Sequence, residues 1–369
     1  MAEIDALLHE LVQRGGSDLH IKVGNPPIIR VDGDLIRLEH HPVLGPDDTQ
    51  RLMYGLMSDE RREIFEEKWE MDLAYYLPGA ARFRVNIFHQ KDYVGGVMRQ
   101  IPIKIETIDD LGLPQVLKTI SMRPRGLVLV TGPTGSGKST TLAAMVDFIN
   151  NQRPKHVITI EDPLEFMHFD KQCCINQREI GEDTRSFAEA LKHALRQNPD
   201  VILVGEMRDL ETISLAITAA ETGHLVFATL HTTDAAQTID RVIDVFPPDQ
   251  QEQIRAQLAA TLEAVVCQQL LPRKGGRGRI PAFEILIGTP AIKTTIREAK
   301  THQVPSLIQT GQEIGMVSLD HYLLNLVREQ VVDYEAAAAK SSNAREFQEL
   351  CRRHFGSHVG QSAAGGAPA

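Results

Sequence analysis

Long apolar runs, C-x-x-C cysteine pairs and a basic N-terminus are all missing from this sequence, and each absence excludes a class of protein. Apolar runs such as residues 127–130 are far shorter than the roughly 18–20 residues that a membrane-spanning helix needs. The four cysteines form no C-x-x-C pair, which excludes a cysteine zinc site and a disulfide framework. Acidic residues stand near the N-terminus, where a signal peptide would be basic. We therefore expect a cytoplasmic protein with no direct membrane insertion.

An excess of basic residues is missing as well. Lys and Arg number 39 against 49 Asp and Glu, and the formal net charge is −10. Because binding to a phosphate backbone requires a basic face, we expect no nucleic-acid partner. The basic cluster at residues 273–279 is interrupted by glycines, as a solvated loop would be. A nucleic-acid translocase is kept as an alternative, and DNA would then bind to it and stimulate it in a strongly salt-dependent way.

The first part of the chain predicts a small α+β domain over residues 1–101. Apolar residues at helical spacing predict a helix at the start, and alternating apolar and polar residues predict the strands. Asp32 and Gly33, between two short apolar runs, predict a hairpin turn. The predicted helices are 2–14, 46–57 and 59–68, and the predicted strands are 18–23, 28–31, 35–38, 71–77, 81–90 and 94–101. A linker is predicted at residues 102–107.

From residue 108 onward, short apolar runs alternate with helical segments, which is typical of a buried parallel sheet. The predicted strands are 127–130, 157–160, 201–204 and 225–228, and the helices among them are 138–150, 184–197 and 209–222. This α/β core is predicted to span residues 108–288. Further helices, at 290–300, 303–310 and 318–331, predict a C-terminal helical segment over residues 289–355. Residues 356–369 are rich in Gly, Ala and Ser, and we expect a disordered tail there.

A phosphate-binding loop opens the first helix of this core. Residues 132–139 fit G-x-x-x-x-G-K-[ST], between a predicted strand and a predicted helix, as the motif requires. Backbone amides and the helix N-terminus would hold the phosphates of a nucleotide, Lys138 would bridge the β- and γ-phosphates, and Ser139 would ligate Mg²⁺. The predicted binding residues are Gly132, Pro133, Thr134, Gly135, Ser136, Gly137, Lys138, Ser139 and Thr140.

Acidic residues and a histidine follow the other predicted strands. Glu206 comes just after the strand at 201–204, where α/β proteins form their sites, and it is our candidate for positioning the attacking water. Glu161, with Asp162 and Glu165, follows the strand at 157–160 and could hold Mg²⁺ through water. His231 could hydrogen-bond the γ-phosphate. Solvated loop acids and a structural histidine are the alternatives.

Three arginines occur on neighbouring strands of the N-terminal domain. Arg82 and Arg84 alternate with apolar residues and so share one strand face, and Arg99 lies on the next predicted strand. A solvated face would explain them. They could instead act as arginine fingers on the phosphates of a neighbouring subunit. The pattern alone does not decide between these interpretations.

Four blocks, taken in order, resemble the retraction ATPases of type IV pili, within the secretion-ATPase superfamily. They are the Walker A loop at 132–140, an acidic box at 158–165, a Walker B segment at 204–209 and a histidine box at 221–241. The resemblance covers residues 2–350. It implies a PAS-like N-terminal domain joined flexibly to a RecA-like ATPase domain in a homohexameric ring. It also implies an ATP- and Mg²⁺-dependent motor for pilus retraction and twitching motility, peripherally associated with an inner-membrane platform protein.

The resemblance also assigns roles to residues. It implies that Glu206 is the catalytic glutamate and that Glu161 and His231 complete the site. Arg84 and Arg99 match arginines that reach the nucleotide, which lies between the two domains in this family.

Two departures from the family pattern keep alternatives open. The retraction signature, close to A-I-R-N-L-I-R-E, reads A-I-K-T-T-I-R-E at residues 291–298, and an arginine common after Phe88 is absent. An auxiliary retraction paralogue is therefore one alternative. Assembly or secretion ATPases are another, although they usually carry a C-x-x-C zinc insertion that this chain lacks. The last alternative is a nucleotide sensor that does not hydrolyse ATP.

Overall fold

The computed structural model describes residues 3–102, 104–276 and 278–355, which form two compact units. The N-terminal unit runs through Ile105 and includes Leu164–Met167, and the second unit holds the remaining described residues. Within the part of the chain described, no helix is long and apolar enough to cross a membrane. The predicted tail at 356–369 lies outside the described residues. The predicted domain limits and the linker at 102–107 remain predictions.

The N-terminal unit is an antiparallel sheet with helices packed on it. Its helices are α1 (Asp5–Gln13), α2 (Pro46–Tyr54) and α3 (Asp59–Lys68). Its strands are β1 (Asp18–Ile21), β2 (Ile28–Val31), β3 (Asp34–Arg37), β4 (Glu70–Leu77), β5 (Ala81–Gln90) and β6 (Tyr93–Ile101), in the order β3-β2-β1-β6-β5-β4. Alternate residues of β5, such as Phe83 and Val85, are buried in one core with Leu8 and Leu11 of α1. The predicted α+β organisation of this region is confirmed.

The second unit is built on a seven-stranded sheet. Its strands are β7 (Gly126–Thr131), β8 (His156–Glu161), β9 (Cys174–Glu179), β10 (Val201–Val204), β11 (Leu225–Leu230), β12 (Leu262–Pro272) and β13 (Arg279–Ile287). The helices interspersed among these strands are α4 (Val116–Ser121), α5 (Lys138–Gln152), α6 (Phe187–Ala194), α7 (Leu210–Glu221), α8 (Ala235–Asp244) and α9 (Gln251–Thr261). The strand order is β13-β12-β7-β11-β10-β8-β9, and all pairings are parallel except that of β12 with β13.

The four predicted strands of this sheet are confirmed as β7, β8, β10 and β11. Their residues are almost wholly buried, which explains why short apolar runs revealed them. The sequence analysis missed β9, β12 and β13. The edge strand β9 is mostly polar, and Glu263, Gln268 and Gln269 interrupt the apolar pattern of β12. The sheet is therefore mixed rather than wholly parallel.

The C-terminal segment of this unit is helical, as predicted. Its helices are α10 (Pro290–Arg297), α11 (Val304–Thr310), α12 (Leu319–Arg328), α13 (Tyr334–Ala338) and α14 (Ala344–Phe355), with 3₁₀ turns at Thr301–Gln303 and Gln312–Ile314. The predictions extended two of these helices too far. Ala299 and Gln330 have φ angles of 54° and 59°, in the left-handed region, which ends α10 and α12 before them.

Candidate functional site

The sheet of the second unit brings the predicted functional segments to one edge. The strands β7, β11, β10 and β8 are consecutive neighbours and run parallel to one another. Their carboxyl ends therefore lie side by side, which is where open α/β sheets bind ligands. The residues at or directly after these ends are the loop at 132–137, His231, Glu206 and Glu161.

The predicted phosphate-binding loop has the geometry of an anion cradle. Gly137, with φ of 89°, precedes Lys138, the first residue of α5, so the loop leads directly into a helix N-terminus. Gly132 has φ of 142°, and a Cβ atom there would lie 2.2 Å from the carbonyl oxygen of Gln268. Lys138 Nζ donates to the carbonyl oxygens of Gly132 at 2.7 Å and Pro133 at 3.2 Å, while Ser139 is exposed. Only glycine fits position 132, and the ammonium of Lys138 lies within the loop.

Gln268 of β12 supports this loop from behind, and the sequence analysis missed it. Its side-chain amide is almost fully buried, at 3% exposure. Gln268 Nε2 donates to the carbonyl oxygen of Ser136 at 2.8 Å, and Gln268 Oε1 accepts from the Thr141 hydroxyl at 2.7 Å. One amide thus joins the loop to the first turn of α5. In the sequence, Gln268 is a polar residue within a mostly apolar run. Its role could have been inferred only if this run had been identified as a strand.

The Glu206 carboxylate is held by two cationic or polar partners at the end of β10. His231 Nε2 donates to Glu206 Oε1 at 2.8 Å, and Arg208 Nε lies 2.7 Å from the same oxygen. The backbone before it is fixed, because Gly205 N donates to the carbonyl oxygen of Ile160 at 2.7 Å. The structure therefore brings the predicted residues Glu206 and His231 into direct contact. Arg208 is a partner that the sequence analysis did not single out.

The electrostatics of this edge follow from these contacts. The hydrogen bond from Arg208 lowers the pKa of Glu206, partial burial opposes this, and His231 lowers the pKa further. Burial lowers the pKa of Lys138, and the negative charge of Glu206 opposes that shift. Glu206 is consequently a carboxylate at neutral pH, able to accept a hydrogen bond from water, and it acts electrostatically on the loop lysine.

Glu161 lies beside Glu206 at the end of the adjacent strand. A Cβ atom on Gly205 would lie 3.2 Å from Glu161 Cα, so the two strand ends are in close contact. Gln177 Nε2, from β9, lies 3.3 Å from Glu161 Oε1. The Ser139 hydroxyl and the carboxylates of Glu206 and Glu161 are oxygen donors, which is the ligand chemistry that Mg²⁺ prefers. The residues at this edge therefore fit a magnesium–nucleotide complex.

The predicted arginines lie in the N-terminal unit. Arg84 of β5 and Arg99 of β6 pair directly across the two strands, and both side chains are exposed. Arg99 Nε donates to Asp18 Oδ1 at 2.7 Å, so its charge is balanced within its own sheet. Because Arg84 and Arg99 are paired, they lie on one face of the sheet, and Arg82 and Arg84 alternate along β5 on a shared strand face, as predicted. The role of Arg84 and Arg99 at the nucleotide remains a prediction.

Comparison with known proteins agrees with this geometry. Residues 1–277 match the family described as "Type II/IV secretion system protein". The chain belongs to this family. It is 53% identical to the type IV pilus retraction ATPase PilT of Pseudomonas aeruginosa, over 94% of this chain and all of that protein. It is 41% identical to the type IV pilus ATPase PilU of the same organism, over 95% of this chain and 91% of that protein.

A solved structure of a family member also resembles this chain. The crystal structure of the pilus retraction motor PilT with bound ADP matches with a TM-score of 0.87 at 45% identity, and the match covers 95% of this chain and all of that one. The predicted α/β fold class and the resemblance to type IV pilus retraction ATPases are therefore confirmed.

Proposed function

We propose that this chain is an ATP-hydrolysing motor that powers type IV pilus retraction and hence twitching motility. The observation that carries this proposal is that the loop after β7 and the hydrogen-bonded carboxylate of Glu206 after β10 lie at the same edge of one sheet, with β11 between the two strands. The 53% identity to the retraction ATPase PilT over nearly the whole chain supports pilus retraction, rather than pilus extension, as the process that the motor drives. A non-catalytic nucleotide sensor would not need such a carboxylate beside the loop lysine.

The proposed reaction is in-line attack of water on the γ-phosphate of ATP. The amides of the loop and of the first turn of α5 bind the phosphates, and Lys138 moves from the Gly132 carbonyl to the β- and γ-phosphates. Glu206 accepts a hydrogen bond from the attacking water and orients it, while His231 and Arg208 hold that carboxylate in place. Ser139 would hold Mg²⁺ directly and Glu161 would hold it through water, and the ion would offset the charge on the phosphates.

The remaining site residues and partners belong to the same proposal. Arg84 and Arg99 are proposed arginine fingers, which place guanidinium groups near the transferred phosphate. The motor is proposed to work as a homohexamer in the cytoplasm, bound peripherally to an inner-membrane platform protein and without a nucleic-acid partner. The ADP-bound structure of a relative at 45% identity supports nucleotide as the ligand.

An auxiliary retraction paralogue is the second candidate. The observation in its favour is the altered centre of the signature at residues 291–298. The identity to PilT, 53%, exceeds that to the second pilus ATPase PilU, 41%, which favours the primary retraction role. A deletion strain separates the two functions, because loss of the primary motor leaves excess pili and abolishes twitching.

The substitution Glu206→Gln tests the proposed chemistry. It keeps the size and one hydrogen-bonding oxygen but removes the charge that orients the water, so ATP binding should persist while kcat falls by roughly 10²–10⁴-fold. Steady-state hydrolysis and calorimetric ATP binding measure the two effects separately. Glu211→Gln, an exposed acid in the first turn of α7, is the matched control and should behave as the unchanged protein. Unchanged turnover in Glu206→Gln would refute the assignment.

A further inference from the structure

Three side chains that can ligate a metal ion converge in the N-terminal unit, and none of them has a role in the proposed ATPase chemistry. They are Glu10 of α1 and the adjacent residues His40 and His41, in the turn after β3. His41 Nε2 lies 2.8 Å from Glu10 Oε2. His40 Nε2 lies 3.2 Å from the same oxygen and 3.0 Å from Glu10 Oε1. Two imidazoles thus direct the same ring nitrogen at one carboxylate.

These separations match those between the ligands of a small metal ion. When bonds of about 2.0–2.1 Å point to the corners of a tetrahedron, the ligand atoms are about 3.3 Å apart. The two histidine rings lie with centroids 4.3 Å apart and are tilted by 48°, so their Nε2 atoms approach the carboxylate from different directions. A modest outward relaxation of the nitrogens would admit an ion at the centre of the three groups.

The surroundings hold the three ligands in place. Arg14 Nη2 lies 2.7 Å from Glu10 Oε1, an arrangement that occupies one carboxylate oxygen and leaves Oε2 for a metal ion. The turn that carries the histidines is fixed by a hydrogen bond from His41 N to the carbonyl oxygen of Leu38. Leu38 itself is buried in the core that also contains Leu11, one residue after Glu10.

The cluster is also accessible to solvent. The exposed fractions of the side chains are 19% for Glu10, 29% for His41 and 53% for His40. An ion could therefore enter from solution, and water could complete its coordination. Two imidazole nitrogens and one carboxylate oxygen are donors that suit Zn²⁺, whereas Mg²⁺ prefers oxygen donors alone.

We propose that Glu10, His40 and His41 bind one Zn²⁺ ion through Glu10 Oε2 and the Nε2 atoms of the two histidines. The ion joins the helix α1 to the turn after β3, and it stabilises the N-terminal unit because the unfolded chain does not hold the three ligands together. This site is independent of the proposed function, since it uses no residue of the nucleotide site.

Titration of Zn²⁺ into the full-length chain tests the site. The protein is prepared without a histidine tag, freed of metal with a chelator and kept without nucleotide, and heat is measured as ZnCl₂ is added. We expect one equivalent to bind, and we expect ZnCl₂ but not MgCl₂ to raise the melting temperature. His41→Ala and Glu10→Gln each remove one ligand, so each should weaken zinc binding by about tenfold or more.

His9→Ala is the matched control, because His9 is adjacent to Glu10 on α1 but its ring instead contacts the Asp5 carbonyl oxygen. This variant should bind zinc as the unchanged chain does. The cluster residues are at least partly exposed, and circular dichroism of each variant would show whether its fold is retained. Absence of stoichiometric binding would overturn the proposal. Equal affinity in the unchanged chain and in both ligand variants would overturn it as well, because the zinc would then be bound elsewhere.

Discussion

The two sheets of this chain hold their charged residues in different places. In the mixed sheet of the second unit the strands β7, β10 and β11 are buried along their whole length, and the charged groups come just after them. In the antiparallel N-terminal sheet, Arg84 and Arg99 lie within strands, on a face open to solvent. A carboxylate after a buried parallel strand has few structural roles, whereas an arginine on an open sheet face has many. The first arrangement therefore indicates function more directly.

The partners of these charges sharpen the contrast. Glu206 is contacted by His231 and Arg208, both of which belong to the same edge as the phosphate-binding loop. Arg99 is instead paired with Asp18, whose carboxylate is nearly buried, at 4% exposure. The first set is arranged around a position that a substrate can reach, and the second is satisfied within its own sheet. The following predictions test whether this difference holds.

Removal of the loop lysine should have the largest effect. Lys138→Ala deletes an ammonium that would bind two phosphate groups, which should cost about 3 kcal/mol and weaken ATP binding on the order of 100-fold. Calorimetric titration with an ATP analogue measures the loss. Lys192→Ala on α6, where the side chain is exposed, is the control. Equal affinity for the ATP analogue in Lys138→Ala and the unchanged protein would show that Lys138 does not bind phosphate.

Mixing Arg84→Ala with Lys138→Ala chains, each expected to be inactive alone, tests whether the N-terminal arginines serve a neighbouring subunit. Arg84→Ala chains keep their loops, and Lys138→Ala chains keep their arginines. In a ring assembled at random from equal amounts, about a quarter of the neighbouring pairs combine an intact loop with an intact Arg84 from the next chain. ATPase activity should therefore recover to about a quarter of the normal rate. No recovery would show that Arg84 does not act across subunits.

Removal of the Gln268 amide that supports the loop should have an effect of intermediate size on ATP binding. Gln268→Leu keeps the side-chain size but leaves the buried Ser136 carbonyl and Thr141 hydroxyl without that partner. Each lost hydrogen bond should destabilise the fold by about 1–3 kcal/mol. We expect the KM for ATP to rise about tenfold, together with a lower melting temperature. Gln269→Leu, the next residue of β12, is the matched control. If both variants gave the same KM, the proposed support of the loop would be wrong.

The smallest predicted effect concerns pH. The hydrogen bond from Arg208 is the main cause that lowers the pKa of Glu206, and Glu206 must be a carboxylate to orient water. Activity is lost as the pH falls through this pKa, so Arg208→Ala, which raises the pKa, should move the acid limb of the kcat profile to higher pH. Arg208→Lys retains the positive charge and should shift the limb less. An acid limb at the same pH in all three proteins would contradict the assignment.

Sequence reasoning predicted which candidate site residues lie at one edge of the sheet better than it predicted the sheet itself. The loop at 132–140, Glu206 and His231 were found because motif and strand end coincide, and their shared edge follows from parallel strands. Gln268 and Arg208 were missed, because their importance comes from contacts made by folding. The strand β12, which carries Gln268, escaped notice because Glu263, Gln268 and Gln269 break its apolar pattern. The role proposed for Arg84 would depend on a neighbouring chain, which no single sequence describes.

The proposed function requires that ATP binds at the loop before α5 with the acidic strand ends facing its γ-phosphate. A crystal structure of the protein with Mg²⁺ and a non-hydrolysable ATP analogue tests it directly. We expect Lys138 Nζ to leave the carbonyl oxygens of Gly132 and Pro133 and to lie about 3 Å from a phosphate oxygen. Glu206 and Glu161 should face the γ-phosphate. A nucleotide bound elsewhere, or these carboxylates turned away from it, would refute the proposed function.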